Sequence, residues 1–81
     1  MIVLTRGVSY HCEKDHKFFD FVQESLRRFL NGDWGNVGGE DRALNDAEPA
    51  FALGAYADEQ NQEVWIKRDE GTITILFPSE Y

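Results

Sequence analysis

The hydrophobic pattern changes its period once along the chain, and this limits the fold more than any other feature. From Asp15 to Gly32 the apolar residues Phe18, Val22, Leu26, Phe29 and Leu30 recur at helical spacing. They share one face of a 3.6-residue repeat. After residue 50 the period drops to two. Ala50–Ala57 alternates, with Phe51, Leu53 and Ala55 on one side. Val64 and Ile66 alternate with Trp65 and Lys67, and Ile73, Ile75 and Phe77 alternate with Thr72, Thr74 and Leu76. A helical stripe followed by strands predicts an α+β fold: one helix face on one sheet face, in two layers.

Local signals bound the elements. Asp15 can accept the free amides of a first helical turn. Arg27 and Arg28 suit the negative end of that helix, and Asn31-Gly32 stops it. A long helix is therefore expected over 16–31. Three glycines between Gly35 and Gly39 mark a loop. Glu40 and Asp41 open a second, short helix over 39–47, which Pro49 ends. The connectors Asp58-Glu59-Gln60-Asn61-Gln62 and Arg68-Asp69-Glu70-Gly71 have turn composition. Gly71 suits a bulged hairpin, and the last third reads as a three-stranded antiparallel meander. Ile2, Val3, Leu4 and Thr5 suggest a short first strand over 2–5 with an irregular lead-in after it. Trp65 points away from Val64 and Ile66, so the sheet is expected to bury both faces, one under each helix.

Length and composition narrow the class. Eighty-one residues leave room for one domain, 1–81. Apolar residues make up 42% and aromatics 14%, too many for a disordered acidic tail. One cysteine builds no disulfide framework. The apolar start is too short for a signal peptide, and no run approaches a membrane span. A cytoplasmic location with no membrane association is expected, with Cys12 reduced.

Charge is unevenly placed. The chain has 15 acids, 8 bases and a formal net charge of −7. Residues 1–32 hold four acids and five bases, whereas residues 33–66 hold eight acids and Arg42 as their one base. Those acids are Asp33, Glu40, Asp41, Asp46, Glu48, Asp58, Glu59 and Glu63. If the segment converges, it forms an acidic face that steers toward a basic protein surface and away from direct nucleic-acid contact. Trp34, inside the segment, is the candidate aromatic anchor; burial, the commoner fate of a tryptophan, is weighted above that reading for both Trp34 and Trp65.

Other constellations carry less. His11, Cys12, Asp15 and His16 match no zinc spacing and read as a polar connector with a cap. Gly35-Asn36-Val37-Gly38-Gly39 lacks the Gly-Lys-Ser/Thr ending of a phosphate loop, and its neighbours are acidic. The clustered carboxylates read as solvated surface groups. No catalytic residue, metal or cofactor is assigned.

Four pieces occur in order: Thr5-Arg6-Gly7-Val8, then Gly32-Asp33-Trp34-Gly35, then Glu40-Asp41 with Asn45-Asp46, and finally Ile75-Leu76-Phe77-Pro78-Ser79-Glu80-Tyr81 after Val64-Trp65-Ile66. Over nearly the whole chain this resembles a family of small acidic proteins of plasmids, prophages and conjugative elements. The chain departs from that pattern at Asn36, where Asp is frequent, and in its Ala-rich segment around Phe51–Tyr56. The resemblance implies a mobile-element setting and no established reaction. The leading expectation is a non-catalytic interaction protein, an anti-CRISPR or anti-restriction inhibitor that presents its acidic segment to a nucleic-acid-targeting host defence complex. The alternative is an accessory module of plasmid maintenance, a monomer or a homodimer formed through a sheet edge. A small carboxylate-dependent hydrolase ranks last.

Overall fold

Asp15 joins two helices and terminates both. Its backbone N–H donates to the His11 carbonyl at 3.1 Å, closing α1 (Arg6–Lys14). Its Oδ1 accepts from the Lys17 and Phe18 amides at 3.0 and 3.3 Å, opening α2 (His16–Leu30). The computed structural model describes all 81 residues. Helix α2 follows the predicted stripe at Phe18, Val22 and Phe29, which it buries together with Ser25, whereas Leu26 is half-buried and Leu30 is exposed. Helix α3 spans Gly39–Ala47.

The fold is α+β, with three helices before the antiparallel meander β2 (Leu53–Ala57), β3 (Glu63–Asp69) and β4 (Thr72–Leu76). An N-terminal strand, β1 (Ile2–Leu4), pairs parallel with β4, giving the sheet order β1-β4-β3-β2. Paired residues share a face, because side chains alternate along a strand. Gly54, Tyr56, Val64, Ile66, Ile73 and Ile75 therefore point the same way, toward α1 and α2. With Val8, Phe18, Val22, Phe29, Trp34 and Ala52, the side chains of Tyr56, Val64, Ile66, Ile73 and Ile75 form the core. No helix is long and apolar enough to cross a membrane.

Four expectations are corrected. Residues 6–14 are helical, not an irregular lead-in. Thr5 caps this helix, and Val8 drops into the core with Cys12 half-buried one turn on. Phe51 lies in a 3-10 turn, Pro49–Phe51, so the strand begins at Leu53. The β3–β4 turn places Glu70, not Gly71, at positive φ (55°). The second expected helix does not cover the opposite sheet face: α3 packs on the Pro49–Phe51 turn, while α2 and the unforeseen α1 both serve the Ile66 face. On the other face Trp65 is half-buried, with Tyr81 edge-on at 5.4 Å between ring centroids.

Candidate functional site

The acidic segment begins in a clamp. Asp33 receives the Arg28 guanidinium in a two-point contact, Nε to Oδ2 at 2.8 Å and Nη2 to Oδ1 at 3.3 Å. The Gly35 amide donates to Oδ1 at 3.1 Å, and the buried Tyr56 hydroxyl donates to the Asp33 carbonyl at 2.7 Å. Arg28 and the Gly35 amide hold the Asp33 carboxyl below its ordinary range. Burial, with the Asp33 charge nearby, pushes the Tyr56 phenol up.

This clamp lays the loop along the outer edge of β2. Ala55 donates to the Trp34 carbonyl at 3.0 Å, and Asn36 donates to the Ala55 carbonyl at 2.7 Å. The close approach requires glycine at position 35, with φ of 75° and the Ala55 carbonyl oxygen placed where a Cβ would collide with it. Trp34 is thereby driven inward. It is 6% exposed and packs edge-on against Phe29 at 5.3 Å. Its indole Nε1 donates to Asp46 Oδ1 at 2.8 Å. Asn45 ties α3 to the sheet, donating to the Leu53 carbonyl at 2.8 Å and accepting from the Leu53 amide at 3.1 Å.

These contacts divide the candidate residues. Trp34 is a core residue, so its indole offers no surface anchor. Asp33 and Asp46 hold the loop and the indole. The remaining acids stand at the two ends of β2. Glu40, Asp41 and Glu48 belong to α3 and its exit. Asp58 and Glu59 lie in the β2–β3 turn, and Glu63 opens β3. β2 rises about 13 Å between its ends, at ~3.3 Å per residue. The segment thus lines one margin of the sheet as two clusters.

Near α3 the acids surround apolar surface that the sequence reading overlooked. Asp41 and Glu48 line an open groove of about 290 Å3 with Val37, Leu44, Phe51 and Leu53. Leu44 and Phe51 are 66% and 51% exposed. The signal for Leu44 was present, since it is the one large apolar residue on an otherwise polar helix. Phe51 was concealed by its assignment to a strand.

Charge compensation is sparse along this margin. The chain has two ion pairs, Arg27–Glu24 and Arg28–Asp33. Arg42, the cation within the segment, donates instead to the Gly35 and Val37 carbonyls at 3.3 and 3.4 Å. Glu40, Asp41, Asp46, Glu48, Asp58, Glu59 and Glu63 therefore have no cationic partner at ion-pair distance. The perturbed carboxylates, Glu24, Asp33 and Glu80, all move below their ordinary range through hydrogen bonds to the charged form. A general acid at neutral pH needs the opposite shift.

The first and last sequence pieces meet at a second structural clamp. Thr5 Oγ1 donates to Glu80 Oε1 at 2.6 Å, the Gly7 amide donates to Oε2 at 3.1 Å, and the Phe77 amide donates to Oε1 at 2.9 Å. His11 and Cys12 lie on α1 beside the core. His11 packs edge-on against Phe18 at 4.4 Å, and burial pushes the Cys12 thiol up. Comparison with protein-family models, curated protein sequences and solved structures returned no match to this chain.

Proposed function

We propose that this chain is a non-catalytic interaction domain that docks, through the acidic margin along β2, on a basic protein surface. One observation carries the reading: seven carboxylates of residues 33–66 have no cationic partner, and one cluster of them borders the exposed Leu44 and Phe51. Apolar anchors ringed by charge supply both contact area and steering. The best-matched surface is one that otherwise holds a polyanion. In the mobile-element setting implied by the resemblance, that surface belongs to a nucleic-acid-targeting defence complex, which the domain would inhibit by competition.

The test is charge reversal with the fold preserved. Glu40→Lys, Asp41→Lys and Glu48→Lys alter the α3 cluster and leave Asp46 to hold the Trp34 indole. Tagged wild-type and reversed proteins are incubated with host lysate at low and high salt, then challenged with DNA. The reading requires capture that salt weakens, DNA displaces and reversal abolishes. Capture by the reversed protein, or capture indifferent to salt, overturns it.

Self-association is a second reading favoured by β1. This edge strand pairs only with β4, and Ile2, Val3 and Leu4 are all exposed. An unpaired apolar edge is a template for another strand. Sedimentation equilibrium with wild type and Val3→Lys decides it: a dimer lost in the variant supports edge pairing, and a monomeric wild type removes it.

A further inference from the structure

Phe21 lies off the apolar stripe of α2 but is half-buried. With Phe18 and Ala57 it lines an open groove of about 570 Å3 between the first turns of α2 and the β2–β3 turn. Pockets for compact ligands span ~300–1,000 Å3. Asp15 and Asp20 border the groove on one side, and Asp58 and Glu59 on the other. Lys17 is the single cation in its lining, which therefore carries a net charge of −3.

Two features set the chemistry of an occupant. A helix N-terminus ordinarily attracts anions. Here the Asp15 carboxylate already accepts the Lys17 and Phe18 amides, so the positive end of α2 is satisfied internally. Asp58 Oδ1 accepts from the Gln60 and Gln62 amides at 2.9 and 2.8 Å, which fixes that carboxylate at the rim. The apolar part of the groove is aromatic, with the Phe18 and Phe21 rings 5.9 Å apart between centroids. An aromatic ring beside carboxylates suits a planar guanidinium on an apolar stem, which can stack and pair at once.

We infer that this groove receives an arginine side chain from a basic peptide segment of the partner. The stem lies on Phe21, and the guanidinium faces Asp20, Asp58 and Glu59. The inference rests on the basic-partner reading and names the point of insertion, at the opposite end of β2 from the α3 cluster.

The probe is a fluorescein-labelled nonapeptide with three arginines in a Gly/Ser background. Its counterpart carries citrulline, which keeps the shape and removes the charge. Fluorescence anisotropy at low ionic strength measures affinity, and amide chemical-shift mapping locates the contact. The arginine peptide should bind, with shifts confined to Asp15–Phe21 and Ala57–Gln60, and the citrulline peptide should not. Phe21→Ala, or the pair Asp20→Asn and Glu59→Gln at exposed positions, should weaken binding roughly tenfold. Phe21→Leu, which keeps the bulk, separates lost stacking from lost packing and should weaken binding less than Phe21→Ala. Neutralising Glu40, Asp41 and Glu48 to Gln, Asn and Gln should leave affinity within about threefold.

If the α3 variant loses binding and the groove variants keep it, the groove inference fails while the basic-partner reading stands. Equal losses at both ends indicate diffuse charge attraction and also refute the groove. If wild type binds neither peptide, or binds both equally, both readings fail.

Discussion

Gly35 is the position where one added methyl group should cost most. Alanine there faces two separate penalties. Left-handed backbone costs an L-residue about 1–2 kcal/mol. The new Cβ would also overlap the Ala55 carbonyl oxygen. The loop must then move off β2 and surrender the Ala55-to-Trp34 and Asn36-to-Ala55 bonds. Each backbone bond contributes about 0.5–1.5 kcal/mol net. Together the penalties reach about 2–5 kcal/mol, against a total stability of roughly 4–12 kcal/mol for a chain of this length. Two other glycines separate the terms. Gly32 also has positive φ (81°) but has nothing within 4 Å of a Cβ. Gly32→Ala should therefore show only the backbone cost, about 1 kcal/mol after the stiffer unfolded chain offsets part of it. Gly39 opens α3 in open space, and alanine there should stabilise by up to about 1 kcal/mol. Urea denaturation followed by far-UV circular dichroism and tryptophan fluorescence gives all three values. Melting temperatures should fall by at least ~10 °C for Gly35→Ala and ~5 °C for Gly32→Ala. If Gly35→Ala costs no more than Gly32→Ala, the loop is not seated on β2 as described.

Other perturbations test the clamps. Asp46→Ala orphans the indole N–H of Trp34 and should cost about 1–3 kcal/mol in urea denaturation, whereas Asp46→Asn keeps an acceptor and should cost less than half as much. Asn45→Ala leaves the Leu53 amide and carbonyl without their side-chain partners and should destabilise by about 2–4 kcal/mol in the same assay. Glu80 sits below its ordinary value of 4.5 because it accepts from Thr5, Phe77 and Gly7. A folded-state value below the unfolded one gives stability that is present above pH 4.5 and lost as pH falls through the folded value. Stability measured from pH 6 downward should therefore fall more gently for Glu80→Gln than for wild type. Glu70→Gly, at φ 55°, should stabilise by about 1 kcal/mol, read as a higher urea midpoint with an unchanged slope.

The elements read correctly from sequence are those whose signals are local. The 4, 4, 3 and 1 spacing from Phe18 to Leu30 defines α2, Asp15 caps it, and Pro49 ends α3. Residues 6–14 concealed a helix because Val8, Ser9, Tyr10, His11 and Cys12 are weak helix formers and Gly7 sits in the first turn. Tertiary contact decides that segment: Val8 is fully buried, and Glu80, from the far end of the chain, accepts the Gly7 amide. No local pattern could disclose a contact across that separation. Trp34 carries two readings, core residue and surface anchor, and the structure decides for the core. A tryptophan between acidic and glycine residues looks exposed, and only Asp46 at a distance and the edge of β2 pull it inward. The short motifs that set this sequence apart, Thr5-Arg6-Gly7-Val8, Gly32-Asp33-Trp34-Gly35 and the C-terminal Pro78-Ser79-Glu80, thus coincide with the two clamps. Their residues explain the architecture directly, and no reaction is needed to account for them.

That assignment changes which charges a partner meets. Asp33 is neutralised by Arg28 and Asp46 is engaged by the Trp34 indole, so the acidic segment presents six carboxylates rather than eight. They are also not one patch. The α3 cluster and the β2–β3 turn cluster lie beyond opposite ends of β2, whose own rise is about 13 Å. The Debye length is ~8 Å at physiological ionic strength and ~30 Å at 0.01 M. In dilute buffer the two clusters act as a single field, and any polycation is drawn to the whole margin. Near 0.15 M they are screened from one another, and a bound partner must engage each locally, with apolar contact as well as charge. Leu44 and Phe51 provide that contact at one end, and Phe21 at the other. Selectivity among basic partners should therefore rise with salt while affinity falls. A partner whose relative affinity over polylysine stays constant between these two ionic strengths would show that total charge alone, and not the grooves, governs binding.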